Sequence, residues 1–81
     1  MIKVTIKCFS QVKYALGTDE LTLEFEMGKT TSQLEQLIRE KAHGKLDGIS
    51  LRVAINQKYK PNETELIDGD EVAFIPPVQG G

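Results

Sequence analysis

The sequence predicts an α+β fold, a mixed β-sheet with one main helix packed across one face. Three observations lead there. Apolar and polar residues alternate over residues 2–9, 20–26 and 51–56, the two-residue period of half-buried strands. Leu34, Leu37, Ile38 and Ala42 instead fall at i, i+3, i+4 and i+8, one apolar stripe of a helix. The order of elements is strand, short helix, strand, long helix, then strands, and one sheet with one main helix satisfies all the stripes.

The elements follow in turn. Residues 2–9 put Ile2, Val4, Ile6 and Cys8 on one face, with Lys3, Thr5, Lys7 and Phe9 on the other. Ser10 to Leu16 reads as a short helix, with Val12, Ala15 and Leu16 at helical spacing and Gly17 as its stop signal. A second strand sets Leu21, Leu23 and Phe25 against Glu20, Thr22, Glu24 and Glu26. Thr30-x-x-Gln33 and Ser32-x-x-Glu35 each fit a capping box for the main helix. Gly44 ends that helix, which puts His43 in its last turn. Leu51, Val53 and Ile55 alternate with Arg52, Ala54 and Asn56 in a third strand. Gln57 to Glu65 reads as turn-rich, with a short edge strand near Tyr59. Asp68-Gly69-Asp70 is a turn whose glycine can take positive φ, and Val72 to Ile75 is the last strand. The first two strands pair as neighbours. The last lies beside the first, because those two are the most apolar and so the best candidates for central positions. This is a ubiquitin-like, β-grasp arrangement. Residues 1–75 form the domain, and residues 76–81 a flexible, extended C-terminal Gly-Gly tail.

Composition narrows the function. Eighty-one residues allow one domain. The net charge of −2 holds no basic excess to neutralise phosphates, so nucleic-acid binding is not expected. The single cysteine, Cys8, makes no internal disulfide. The chain enters a strand pattern at once, without the pattern of a secretory leader. No apolar run approaches the ~18 residues of a membrane span. A cytoplasmic protein is expected.

The body offers little chemistry. His43 is the only histidine, and a cation there complements the helix dipole. No second histidine or cysteine completes a metal set, so no metal site is expected. Cys8 falls on the core face. Ser10 and Ser50 have no histidine partner in sequence that suggests a triad. Asp68, Asp70 and Glu71 resemble a fragment of a calcium loop but lack its frame and closing glutamate, so a turn is the better reading.

What remains is the ending Pro76-Pro77-Val78-Gln79-Gly80-Gly81. A chance Gly-Gly at the last two positions has odds of about one in two hundred. The prolines disfavour helix and hold an extended arm, which lowers the entropy lost on insertion into a partner. The glycines keep it slim enough to thread into another protein's site. Its carboxylate is a poor electrophile until adenylation by ATP supplies a leaving group. Phe9, Ala54 and Ile75 fall on the outward phase of three strands. If those strands are adjacent, they form an apolar patch at the root of the tail, the mark of a partner site.

These residues carry a resemblance. Ala54-x-Asn56-Gln57, then Leu66-x-Asp68-Gly69-Asp70-Glu71-Val72-Ala73-Phe74-x-Pro76-Pro77-Val78-x-Gly80-Gly81, resembles the small subunits of molybdopterin synthase, the MoaD-type sulfur carriers. Phe9-Ser10-Gln11-Val12 and Gly17-Thr18 look like the family's start. The resemblance implies a β-grasp fold with no permanently bound cofactor. It implies that an activating enzyme of the MoeB type uses ATP to adenylate Gly81, which then becomes a thiocarboxylate. It further implies insertion of the tail into a MoaE-like large subunit, in a heterotetramer of two small and two large subunits. Sulfur passes there to cyclic pyranopterin monophosphate and makes the molybdopterin dithiolene. Gly80 and Gly81 are then the reactive end. Phe9, Ala54, Phe74, Ile75, Pro76, Pro77, Val78 and Gln79 are the expected partner-binding residues. A ubiquitin-like protein modifier uses the same adenylated Gly-Gly end and stays open as an alternative. So does a sulfur carrier for thiamine thiazole or tRNA thiolation, although the Pro-Pro before the glycines speaks against the thiazole carrier.

Overall fold

Alternation from the second residue onward makes β1 (Ile2–Cys8), whose inward residues are buried and whose outward ones are partly or fully exposed. The computed structural model describes residues 1–61 and 63–76. A short helix, α1 (Ser10–Leu16), follows, and Gly17 closes it in the left-handed conformation at φ 74°, its N–H donating to Lys13 O. Next come β2 (Glu20–Phe25) and α2 (Thr31–Lys41), then β3 (Arg52–Ile55), β4 (Lys58–Lys60) and β5 (Glu71–Ile75).

These strands form one five-stranded sheet in the order β2-β1-β5-β3-β4. β1 pairs antiparallel with β2 and parallel with β5, so the two most apolar strands lie side by side, as their composition predicts. β3 pairs antiparallel with both β5 and β4.

The core lies between the sheet's inner face and α2. Val4, Ile6, Val72 and Phe74 from the central strands meet Leu34 and Ile38 of the helix and its C-cap Ala42, all at 1% exposure or less. Burying each of the larger side chains contributes about 1.5–3 kcal/mol. Thr30 opens α2 with the predicted capping box: its side chain accepts from Gln33 N, and Gln33 Oε1 accepts from Thr30 N.

Three expectations need correction. Leu21, Leu23 and Phe25 are only partly buried, because β2 is an edge strand with a neighbour on one side. Leu37 is half-buried, on the side of α2 that faces that edge. His43 lies past the helix, beyond the C-cap Ala42, exposed and at φ 52°. The core in turn draws in residues from segments without periodicity: Leu46 at 1% exposure and Leu66 at 2%.

Candidate functional site: the outer face of the sheet

The strand registers build this face residue by residue. Lys7 pairs with Glu20 on β2 and with Ala73 on β5; Ala73 pairs with Ala54, and Ala54 with Tyr59. One row therefore crosses all five strands, with alanines at its centre and larger side chains at its flanks. Beyond it, Ile75 pairs with Arg52. Phe9 follows Cys8, whose register partner is Phe74, so it stands at the same end of the sheet as Ile75.

The small central residues leave a depression of about 740 Å³, lined by Phe9, Ala54, Ala73 and Ile75 with Tyr59 and Lys7 at its sides. Phe9 remains 51% exposed, an aromatic ring open to solvent. The structure thus brings Phe9, Ala54 and Ile75 together, as their phase and strand adjacency predict. Ala54 itself is 6% exposed and forms floor, not rim.

Charged groups frame this apolar centre. Lys7 Nζ bonds Glu20 Oε1, and that hydrogen bond, with the attraction of the same carboxylate, raises the ammonium above its ordinary pKa. On the opposite side the Arg52 guanidinium stacks 4.4 Å from the centroid of the Tyr59 ring, a cation–π contact that holds both side chains flat at the margin. Sequence reasoning missed this pair. It placed a strand near Tyr59 without its register, and Tyr59 joins the face only because a two-residue turn at Asn56 and Gln57 sets it opposite Ala54.

The expected partner residue Phe74 requires correction. It points to the inner face at 0% exposure, because side chains alternate along β5 and Ile75 takes the outward phase. Pro76 is likewise buried. Pro77, Val78, Gln79, Gly80 and Gly81 lie outside the described residues.

The remaining candidates have structural employment. Cys8 is buried at 2% exposure, and burial, with Asp19 nearby, pushes its thiol pKa up. Asp70 accepts from Ile67 N and from Asn56 Nδ2, and Asp68 from Lys3 N. Asn56 Oδ1 accepts from Glu71 N, so Asn56-Gln57 and Asp68-Gly69-Asp70-Glu71, distant in sequence, are knotted together in space. Among the described residues, no group of three or more His, Cys, Asp or Glu is placed to hold a metal ion. Among them also, no helix is long and apolar enough to cross a membrane.

Fold and topology define a ubiquitin-like protein of the β-grasp class. A family profile described as the ThiS family matches residues 6–81. The chain is 37% identical over 75 residues to the molybdopterin synthase sulfur carrier subunit of Haemophilus influenzae, with 90% of this chain and 93% of that protein covered. Among solved structures, a Pyrococcus furiosus protein described as subunit 1 of a molybdopterin converting factor superposes with a TM-score of 0.85 at 27% identity, covering 96% of this chain and 100% of that one. A chain from the complex of subunits 1 and 2 of the Helicobacter pylori molybdopterin-converting factor gives a TM-score of 0.69 at 22% identity, covering 99% of this chain and 100% of that one, a likeness of fold. The chain belongs to the ThiS family, among the molybdopterin synthase sulfur carrier subunits.

Proposed function

We propose that this chain is the sulfur-carrying small subunit of a molybdopterin synthase and that the Gly81 carboxylate is its working group. A carboxylate oxygen attacks the α-phosphorus of ATP on an activating enzyme of the MoeB type, expelling pyrophosphate. A sulfur nucleophile then displaces AMP and leaves a thiocarboxylate. The body contributes no acid, base or nucleophile to these steps. Its part is to present the arm and to be held by a MoaE-like large subunit, which receives the tail and the cyclic pyranopterin monophosphate. Two transfers complete one dithiolene, in keeping with two small and two large subunits per assembly. ATP is consumed on the activating enzyme, and a cytoplasmic location, where ATP is available, fits this reading.

The observation that carries this reading is the family match, which runs through residue 81 and includes both tail glycines. The outer face supports it: an apolar depression beside the end of β5, where the chain leaves the sheet, suits a partner that must also grasp the tail. Intact mass spectrometry after incubation with the activating enzyme, ATP and a sulfur source tests it. Replacement of oxygen by sulfur at the terminus adds about 16 Da. A covalent conjugate to another protein would instead identify a modifier.

A further inference from the structure

Four described residues other than glycine have positive φ: Ser10 at 54°, His43 at 52°, Asn56 at 51° and Gln57 at 72°. That region crowds any side chain carrying a Cβ and favours glycine, with asparagine the best tolerated alternative. Asn56 has a visible reason to be there, since its side chain ties the β3–β4 turn to Asp70 and Glu71. Gln57 and Ser10 have none: among the described residues neither side chain makes a hydrogen bond. Both are exposed. Glycine at Gln57 would suit the two-residue turn better, because both turn positions need positive φ.

Both residues line the depression on the outer face, and they stand at its opposite ends. Gln57 follows Asn56, whose N–H donates to Glu71 O at the start of β5. Ser10 follows Phe9 at the end of β1 that pairs Cys8 with Phe74. The stretch of β5 between these ends is roughly 13 Å long at 3.3 Å per residue. Strained backbone kept at unemployed, exposed side chains on a recognition face points to work done there.

We infer that Ser10 and Gln57 are hydrogen-bonding end stops that fix the register of the synthase large subunit on this face. The inference rests on the partner reading above. Apolar contact is non-directional, so the strip of Phe9, Ala54, Ala73 and Ile75 alone would leave the partner free to shift along the strands. A tail that must bring its acyl group to a reacting centre is intolerant of displacement, since about 1 Å can cost 10²-fold in rate. The Gln57 amide can both donate and accept, as can the Ser10 hydroxyl. One polar group at each end of an apolar strip defines a single seating, the arrangement of dry centre and polar rim that protein interfaces use.

The test pairs thermal melting of the small subunit with calorimetric titration against the large subunit. Gln57→Gly relieves the turn, so its melting temperature rises by roughly 4 °C, while loss of an interface hydrogen bond weakens binding about fivefold. Gln57→Asn keeps an amide where positive φ is tolerated and recovers part of that loss. Ser10→Gly weakens binding on its own, and the double variant weakens it further. If the wild type binds and Gln57→Gly binds equally well, the end-stop inference is overturned while the partner reading stands. A lower melting temperature for Gln57→Gly would remove its premise of strain. If the wild type itself does not bind, the partner reading fails first.

Discussion

At the residue scale, one step along β5 separates two kinds of importance. Phe74 is buried against the core at 0% exposure, and Ile75 opens onto the outer depression. Phe74→Ala should therefore cost about 3–5 kcal/mol, lost packing plus a residual cavity, and urea denaturation will read it directly. Ile75→Asp should leave that midpoint near wild type. It should weaken association with the large subunit by about tenfold or more, because a carboxylate would be buried on the apolar strip without a partner charge. Cys8 illustrates the same inward phase through its chemistry. Its folded pKa is raised, first by burial and then by Asp19. A raised thiol contributes stability that is fully present below the ordinary thiol value, about 8.5, and is lost as pH climbs through the folded value. The stability advantage of wild type over Cys8→Ala, measured from denaturation midpoints, should therefore shrink between neutral pH and about pH 10.

At the scale of elements, legibility followed periodicity. The α2 stripe and the alternation of β1 rest on repeats of 3.6 and 2 residues. The structure buries Leu34, Ile38, Ala42 and the inward residues of β1 accordingly, with Leu37 only half-buried. The Thr30–Gln33 box was legible as a local motif. Leu46 and Leu66 sit in segments without a period, so nothing local announces that they are buried. The β3–β4 hairpin was hidden for a different reason: its second turn residue is Gln57 where glycine would have signalled a tight turn. Arg39 was hidden because its role depends on a loop folding back. From α2 it donates to Glu35 Oε2 at 3.0 Å, to Leu46 O at 2.7 Å and to Ile49 O at 2.6 Å, fastening the segment between α2 and β3. Arg39→Leu keeps a helix former with apolar bulk but abandons both carbonyls. A loss of about 2 kcal/mol is expected, with hydrogen exchange quickening at the Lys45, Asp47 and Ile49 amides that close the turns of this segment.

At the scale of the whole molecule, the proposed function gives the body and the tail separate tasks. β1 and β5 run parallel at the centre of the sheet, so the end of β5 emerges beside Phe9 with both flanks already built. Among the described residues, the apolar core runs to Phe74, and the hydrogen bonds named above for α2, the turns and the hairpin join residues within the body. Deleting Gly81 should accordingly leave the melting temperature unchanged. It should also leave affinity for the large subunit largely intact, since the strip of Phe9, Ala54 and Ile75 is untouched. Sulfur transfer should nevertheless be abolished. The acyl carbon would end one residue short, about 3.5 Å from where the partner's site expects it, and catalysis by positioning does not survive a gap of that size. Measuring melting, binding and dithiolene formation on the same truncated sample separates the three outcomes. A truncated protein that still forms product would place the reactive group somewhere other than Gly81, whereas one that unfolds would show that the tail also serves the body.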